Sequence, residues 1–269
     1  MIIKTKKIQS NIIKKTKRHI SFGFLFKRRI VVIYLTGDTH GGIDINKLTS
    51  KALKKDNLTL TEEDYVIICG DFGFIWSPET SPYYKHDLHW LEWFKEKPFT
   101  TLFVDGNHEN FDMLNKYPIS KWNGGFVQFI NEKVIHLMRG QIFNIDGNTI
   151  FTFGGAESHD KQHRKMYLDW WPQELPISRE LDEGLDNLDK YNHKVDYIIT
   201  HAAPNWFFKQ CFPNLTPDNN VLSKYFKYLN QYIEFDHWYC GHLHLNKTIN
   251  DCTCLYNQIV KLGEYFPQN

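Results

Sequence analysis

Short apolar runs punctuate the chain, and most are too brief for helices. Ile30 to Leu35 (IVVIYL), Tyr65 to Cys69 (YVIIC) and Thr101 to Val104 (TLFV) are continuous apolar stretches rich in β-branched residues. This is the pattern of strands buried on both faces. Tyr197 to Ile199, within VDYIIT, and His237 to Cys240 (HWYC) read the same way. Between them the period changes. Residues 84–96 place Leu88, Leu91 and Phe94 at helical spacing with Trp90 alongside, and residues 178–192 carry Leu181, Leu185 and Leu188 on one face behind Ser178. Residues 126–153 alternate FVQFI, VIHLM, IFNI and TIFTF with turn residues, and Asp146-Gly147 between the last two predicts a hairpin. A further strand is expected in LYNQIV near the end of the chain. Strand–helix alternation on either side of a hairpin-rich middle predicts a layered, mixed α/β domain. Residues 154–176 fit neither period and read as a long loop with paired tryptophans; long loops inside compact domains are often functional.

The residues just beyond each run matter more than the run itself. IVVIYL hands over to Thr36-Gly37-Asp38-Thr39-His40-Gly41, YVIIC to Gly70-Asp71-Phe72-Gly73, and TLFV to Asp105-Gly106-Asn107-His108-Glu109. VDYIIT ends on His201, and HWYC on Gly241-His242-Leu243-His244. The carboxyl ends of strands in layered α/β folds open into one crevice, so these scattered groups are expected to converge. Asp38/His40 and His242/His244 are i, i+2 pairs, which share a face in extended backbone and would each reach one small volume. Mixed oxygen and imidazole donors suit Mn, Fe, Zn or Co better than Mg or Ca. There are too many donors for one ion with an open position. Two ions sharing a carboxylate, about 3.5–4 Å apart, absorb them and clamp both oxygens of an in-line displacement.

These motifs, in this order over residues 36 to 244, resemble the calcineurin-like metallophosphoesterase superfamily. The resemblance implies a four-layer α/β/β/α sandwich of two facing mixed β-sheets flanked by helices. It implies that Asp38, His40 and His244 hold one metal, that Asn107, His201 and His242 hold another, and that Asp71 bridges them. His108 would bind no metal; it would face the phosphate and protonate the leaving oxygen. The implied activity is a metal-dependent phosphoric ester hydrolase with two divalent transition-metal ions per chain, manganese foremost and iron, zinc or cobalt as alternatives. A metal-bridging hydroxide would attack a phosphomonoester or phosphodiester in line. A nuclease or nucleotide phosphodiesterase is the runner-up. A non-catalytic, metal-stabilised binding scaffold is the competing class, disfavoured because no expected ligand is missing. Protein Ser/Thr phosphatases of the superfamily extend the second motif to G-D-x-x-D-R-G. Here Phe72-Gly73-Phe74-Ile75-Trp76 comes after Asp71, which argues against a dedicated protein phosphatase. Glu109 stands where many relatives carry Asp and is expected to orient a neighbouring group.

In the irregular loop, Asp160, His163 and Arg164 are candidates for substrate contact, Arg164 through bidentate pairing with a phosphate. Trp170 and Trp171 are expected to pin the loop to the body rather than to stack on a ligand. His86, His89, His193 and His237 have no motif around them and read as surface or core.

Charge changes the picture at one end only. The chain has 269 residues and a net charge of +1, but residues 1–29 hold 10 of the 32 basic groups and no acid, leaving a body with 22 basic and 31 acidic groups, net −9. Residues 1–29 therefore read as a basic extension on a catalytic domain of residues 30–269, able to touch nucleic acid or else a solvated tail or an upstream-start artefact. With 42% hydrophobic and 23% charged residues, wholesale disorder is excluded. No apolar run reaches the roughly 18 residues of a membrane span, and Lys27-Arg28-Arg29 cuts short the only signal-like stretch. Five cysteines make no disulfide framework, so a cytoplasmic location is expected, with Cys69 and Cys240 as core residues.

Overall fold

A computed structural model of the chain describes residues 31–267. The basic extension of residues 1–29 lies outside the described residues. Thirteen strands among the described residues form two mixed sheets. In the first, β1 (Ile33–Thr36), β2 (Tyr65–Ile68), β3 (Thr100–Phe103) and β6 (Val134–Leu137) run parallel. β5 (Gly125–Asn131) and β4 (Ile119–Trp122) continue one side antiparallel, and β13 (Ile259–Lys261) closes the other against β1. In the second sheet, β8 (Asn148–Phe153), β9 (Tyr197–Thr200), β10 (His237–Cys240) and β12 (Cys252–Cys254) run parallel, with β7 (Gln141–Ile145) and β11 (Lys247–Ile249) antiparallel at the edges.

Three apolar clusters account for the layering. One fills the space between the sheets, joining Leu35, Ile67 and Leu102 of the first to Phe143, Ile150, Ile199 and Tyr239 of the second. A second packs the outer face of the first sheet, through Val66, Ile68 and Phe103, on Leu53 of α1 (Ser50–Lys55) and Phe94 of α2 (Tyr84–Lys95). A third packs Phe151, Phe153, Ile198 and Trp238 on Leu188 of α4 (Ser178–Lys190), Phe207 of α5 (Asn205–Cys211), and Leu222, Phe226 and Leu229 of α6 (Val221–Tyr232). A short helix, α3 (Phe111–Leu114), precedes β4. Strands covered on both faces must be apolar at every position, which is why IVVIYL and YVIIC show no alternation. The result is the α/β/β/α sandwich that the family resemblance implies.

The Asp146-Gly147 hairpin forms as a two-residue turn between β7 and β8, with φ of 51° and 87° at its centre. LYNQIV is only partly a strand. Leu255 to Gln258 turn instead, with the Tyr256 and Gln258 carbonyls accepting the Thr36 hydroxyl, and pairing with β1 begins at Ile259. Residues 154–176 contain two 3-10 turns, Lys161–His163 and Pro172–Glu174, and no longer element. Cys69 and Cys240 are fully buried, and all five cysteines are free thiols. No helix among the described residues is long and apolar enough to cross a membrane.

Candidate metal centre

The loops leaving β1, β2 and β3 meet the loops leaving β9 and β10 at the seam between the sheets. There the structure brings together Asp38, His40, Asp71, Asn107, His108, His201, His242 and His244. Asp38, His40 and His244 form one triad, Asp71, His201 and His242 another, and His40, Asp71 and His108 a third; within each, the potential ligand atoms lie within 4.8 Å of one another. Asp71 stands between the first two: its Oδ2 is 3.2 Å from His40 Nε2 and its Oδ1 3.3 Å from His201 Nε2. The His108 backbone N–H donates to Asp71 Oδ1 at 2.7 Å and fixes the carboxylate's rotation. Asn107 donates its amide to Ser158 Oγ at 3.1 Å, which turns its carbonyl oxygen toward His201 Nε2, 3.2 Å away.

One atom tests whether this assembly suits cations. Asp38 Oδ2 is buried and makes no hydrogen bond. It lies 3.0 Å from His244 Nε2 and 3.9 Å from His40 Nε2, near enough to share an ion. A buried carboxylate oxygen without a partner is costly. A divalent cation among these donors removes that cost, and the mixed oxygen and nitrogen set fits a transition ion.

The backbone at the seam is not extended. His40, Asp71, His242 and His244 have φ of 44°, 50°, 64° and 51°. The left-handed region costs a non-glycine residue on the order of 1–3 kcal/mol and persists only where surrounding structure enforces it. This corrects the i, i+2 expectation: His242 and His244 do not share one volume but turn to different triads. The glycines are there for close approach. A Cβ on Gly70, which has φ of 93°, would lie 2.1 Å from His201 Nδ1, and one on Gly106 would lie 2.0 Å from Asp71 Oδ1.

Outer partners aim the imidazoles. His40 Nδ1 donates to Asp44 Oδ2 at 2.7 Å and His201 Nδ1 to the Cys69 carbonyl at 2.8 Å, so both rings present Nε2 to the centre. Asp44 also accepts the Tyr256 hydroxyl at 2.8 Å, and the Tyr256 ring stacks on His244 with centroids 4.5 Å apart. Lys47, buried, donates to the carbonyls of Gly37, Asp38 and Tyr256, tying the end of β1 to the turn before β13. Glu109 accepts the backbone N–H groups of Phe72 and Gly73 at 2.7 and 3.1 Å. It thereby braces the turn that carries Asp71, which is the group it orients. Asp44, Lys47, Ser158 and Tyr256 are not apparent from sequence. Of these, only Asp44, four residues after a candidate ligand, carries a local signal.

The electrostatics are those of a cation site. Burial alone would raise the Asp38 and Asp71 carboxyls, yet the surrounding imidazoles hold both below their ordinary range, Asp71 far below. Burial works against a proton on His40 and His201, but Asp71 and the other carboxylates outweigh it and push them up to about 9 and about 10. A field that retains protons so firmly also attracts divalent cations. His242 is pushed down to about 4 by burial and by His201.

The irregular loop borders this centre. Arg164 is near enough to oppose a proton on His108. Its Nε bonds Asp160 Oδ1 at 2.9 Å and its Nη1 donates to the Asp169 carbonyl at 3.2 Å, so Asp160 acts on Arg164. His163 sits exposed on the 3-10 turn, and among the described residues none of its hydrogen bonds reaches the centre. Trp171 is 1% exposed, donates to Asp112 at 3.0 Å and packs edge-on against Trp76, pinning the loop as expected.

Comparison with known proteins agrees with this geometry. The sequence profile of the calcineurin-like phosphoesterase family matches residues 31–246. The chain is 22% identical to the lariat debranching enzyme of Gallus gallus, over 79% of this chain and 42% of that protein, and 24% identical to that of Homo sapiens, over 68% and 36%. It thus spans less than half the length of these relatives. Among solved structures, a putative 5'-nucleotidase from Staphylococcus aureus aligns with 15% identity and a TM-score of 0.46, covering 84% of this chain and 48% of that one.

Proposed function

The chain belongs to the calcineurin-like phosphoesterases, and from that premise we propose that it is a dinuclear-metal-dependent hydrolase of a phosphomonoester or phosphodiester. The observation that carries the reading is the position of Asp71, a buried carboxylate within about bonding reach of imidazoles from both triads. Asp38, His40 and His244 would hold one ion, Asn107, His201 and His242 the other, with Asp71 shared. Manganese is the ion proposed first, with iron, zinc and cobalt as alternatives. Bound there, the pair supplies Lewis acidity, acidifying water and offsetting phosphoryl charge.

The chain's own groups do the rest. Hydrolysis adds one water across a P–O bond: the water oxygen goes to phosphorus, one of its protons is lost, and the departing oxygen takes up a proton. His108 is the donor proposed for that last transfer. It sits beside His40, with ring centroids 5.2 Å apart, and lines the open cleft. Burial, reinforced by His40 and Arg164, lowers its pKa against the pull of Asp71. An anionic ester in the cleft opposes that shift. Arg164 is proposed to meet a phosphoryl oxygen at the expense of its bond to Asp160.

The test uses purified protein loaded with Mn²⁺ and assayed on a chromogenic monoester and a chromogenic diester, with bound metal measured by elemental analysis. Wild type should bind two ions and turn over at least one ester. His108→Ala should keep both ions and lose about 10²–10⁴-fold in rate on an alkyl ester, whose alkoxide needs the proton, and less on the chromogenic esters; Asp71→Asn should lose metal as well. Two bound ions with no turnover would favour the scaffold. A second reading, a nuclease or nucleotide phosphodiesterase, is favoured by relatives that are named for debranching lariats and by the basic residues 1–29. It requires salt-sensitive retention on RNA or DNA that disappears when those residues are removed.

A further inference from the structure

Next to His108 and His40 opens a cleft of about 460 Å³ in which Ile43, Trp76 and Tyr83 supply the large apolar surfaces, with His86 and Asp87 also in its lining. Two of these are large hydrophobic residues left in water, Ile43 at 78% and Tyr83 at 71% exposure. No core needs them there. Trp76, by contrast, is held firmly. Its backbone N–H donates to Asp87 Oδ2 at 3.2 Å, its carbonyl accepts the Asn110 side chain at 2.6 Å, and its ring abuts Trp171 edge-on. One anchored and one exposed aromatic group facing a shared opening make a stacking surface.

The charge pattern narrows the occupant. No lysine or arginine lines the cleft; of its histidines, His40 and His108 belong to the metal centre and His86 accepts the Trp90 indole N–H, and its acid, Asp87, is already bonded to the amides of Trp76 and Ser77. It is not built for a polyphosphate or an acidic peptide. It suits a flat, uncharged ring. Because His108 lines the cleft and is the proposed acid, the group on that side of phosphorus is the one that leaves. The size of the cleft exceeds a single phenol and accommodates a ring with a sugar. The chemistry agrees: a phenolate, with a pKa near 10, departs without help, whereas a sugar alkoxide is far more basic and needs the proton that His108 would give.

We infer that the cleft lined by Trp76, Tyr83 and Ile43 is the leaving-group subsite, and that it takes a nucleoside whose base stacks on the aromatic wall. This rests on the hydrolase reading for which side of phosphorus departs, but not for the binding itself.

Binding is therefore measured without turnover. The Mn²⁺-loaded full chain is titrated calorimetrically with adenosine, ribose and tyrosine. Adenosine should bind well above the other two, and Tyr83→Ala, at a side chain that packs on little, should weaken it about five- to a hundredfold while leaving ribose unchanged. Trp76→Leu, checked for fold by circular dichroism, should weaken it as well. Adenosine binding no tighter than ribose, or as tight in Tyr83→Ala as in wild type, overturns the inference. Tyrosine binding more tightly than adenosine assigns the cleft to a phenolic leaving group and overturns the nucleoside. An inactive protein that still discriminates adenosine would sink the hydrolase reading and leave the subsite standing; an active one without discrimination would do the reverse.

Discussion

Removing the buried charge of Arg139 should cost stability, and should do so with a distinctive pH dependence. Arg139 is 7% exposed, and its Nε donates to Asp105 Oδ2 at 2.9 Å with Nη2 alongside. Asp105, 1% exposed, has His136 Nε2 3.2 Å from its other oxygen. In Arg139→Met a buried carboxylate loses its cationic partner, a change that costs about 3–5 kcal/mol. For a domain of this size each kcal/mol moves Tm by about 2–4 °C, so the midpoint should fall by roughly 6–20 °C at pH 7. The pH profile identifies the cause. In wild type, burial alone would raise the Asp105 carboxyl, but Arg139 and His136 hold it well below its usual value. A depressed carboxyl contributes stability above its unfolded pKa near 3.9 and loses it as pH falls through the folded value. In Arg139→Met only His136 still opposes burial, so the carboxyl rises, and once it passes its unfolded value the dependence reverses: stability is present at low pH and lost as pH rises. Thermal melts monitored by circular dichroism from pH 7 to pH 4 should therefore converge because the variant gains as its carboxyl takes up a proton, while the wild-type contribution stays in place until pH falls below about 4. The double variant Asp105→Leu/Arg139→Met should recover most of the loss at pH 7, because no buried charge is left alone. A drop under about 2 °C at pH 7, or parallel pH curves, refutes the reasoning.

Gly70→Ala should abolish metal uptake with a smaller effect on folding, since the added carbon lies 2.1 Å from His201 Nδ1 and must displace that ring; bound metal per chain, by elemental analysis, reads it. Tyr256→Phe should keep the stack on His244 but drop the 2.8 Å bond to Asp44, weakening metal affinity by about 10–100-fold in a chelator competition. Leu255→Ala and Leu229→Ala should each cost about 2–5 kcal/mol in denaturant melts. Only the former, in the cluster between the sheets, should also weaken metal retention.

The chemistry is more legible in the sequence than the scaffold that aims it. Asp38, Asp71, Asn107, His201 and His242 stand one to three residues beyond apolar runs that become strands, so local pattern alone places each of them at a strand end. Their convergence is a consequence of strand direction. What aims them is non-local. Asp44 and Tyr256 are 212 residues apart, and nothing near Tyr256 marks it. Arg139-Gly140 reads as a turn, and so it is, but its guanidinium points inward to Asp105, 34 residues away. The His242/His244 pairing breaks down for a local reason, because it presumes extended backbone where both residues sit at positive φ, whereas Asp38 and His40 do share a triad. Helix α6 is not among the helices that the apolar pattern predicts. Leu222, Tyr225, Phe226 and Leu229 form a clear buried stripe, but the aromatic and polar residues between them blur the period until the packing partner is known.

The division of labour between the sheets explains why such a strained centre persists. Loops of the first sheet contribute Asp38, His40, Asp71, Asn107 and His108; loops of the second contribute His201, His242 and His244. Both triads therefore draw on both sheets, Asp38 and His40 meeting His244, and Asp71 meeting His201 and His242. The cross-links are backbone as well as side chain: His242 N–H donates to Asp38 Oδ1 at 3.1 Å, and His201 Nδ1 to the Cys69 carbonyl at the end of β2. Neither sheet can shift without separating carboxylates from imidazoles. The buried cluster between the sheets resists that shift, and its burial free energy offsets the left-handed backbone that the ligands require. Cations bound across the seam would tighten the same contact, so metal binding and the packing of the two sheets are two faces of one equilibrium.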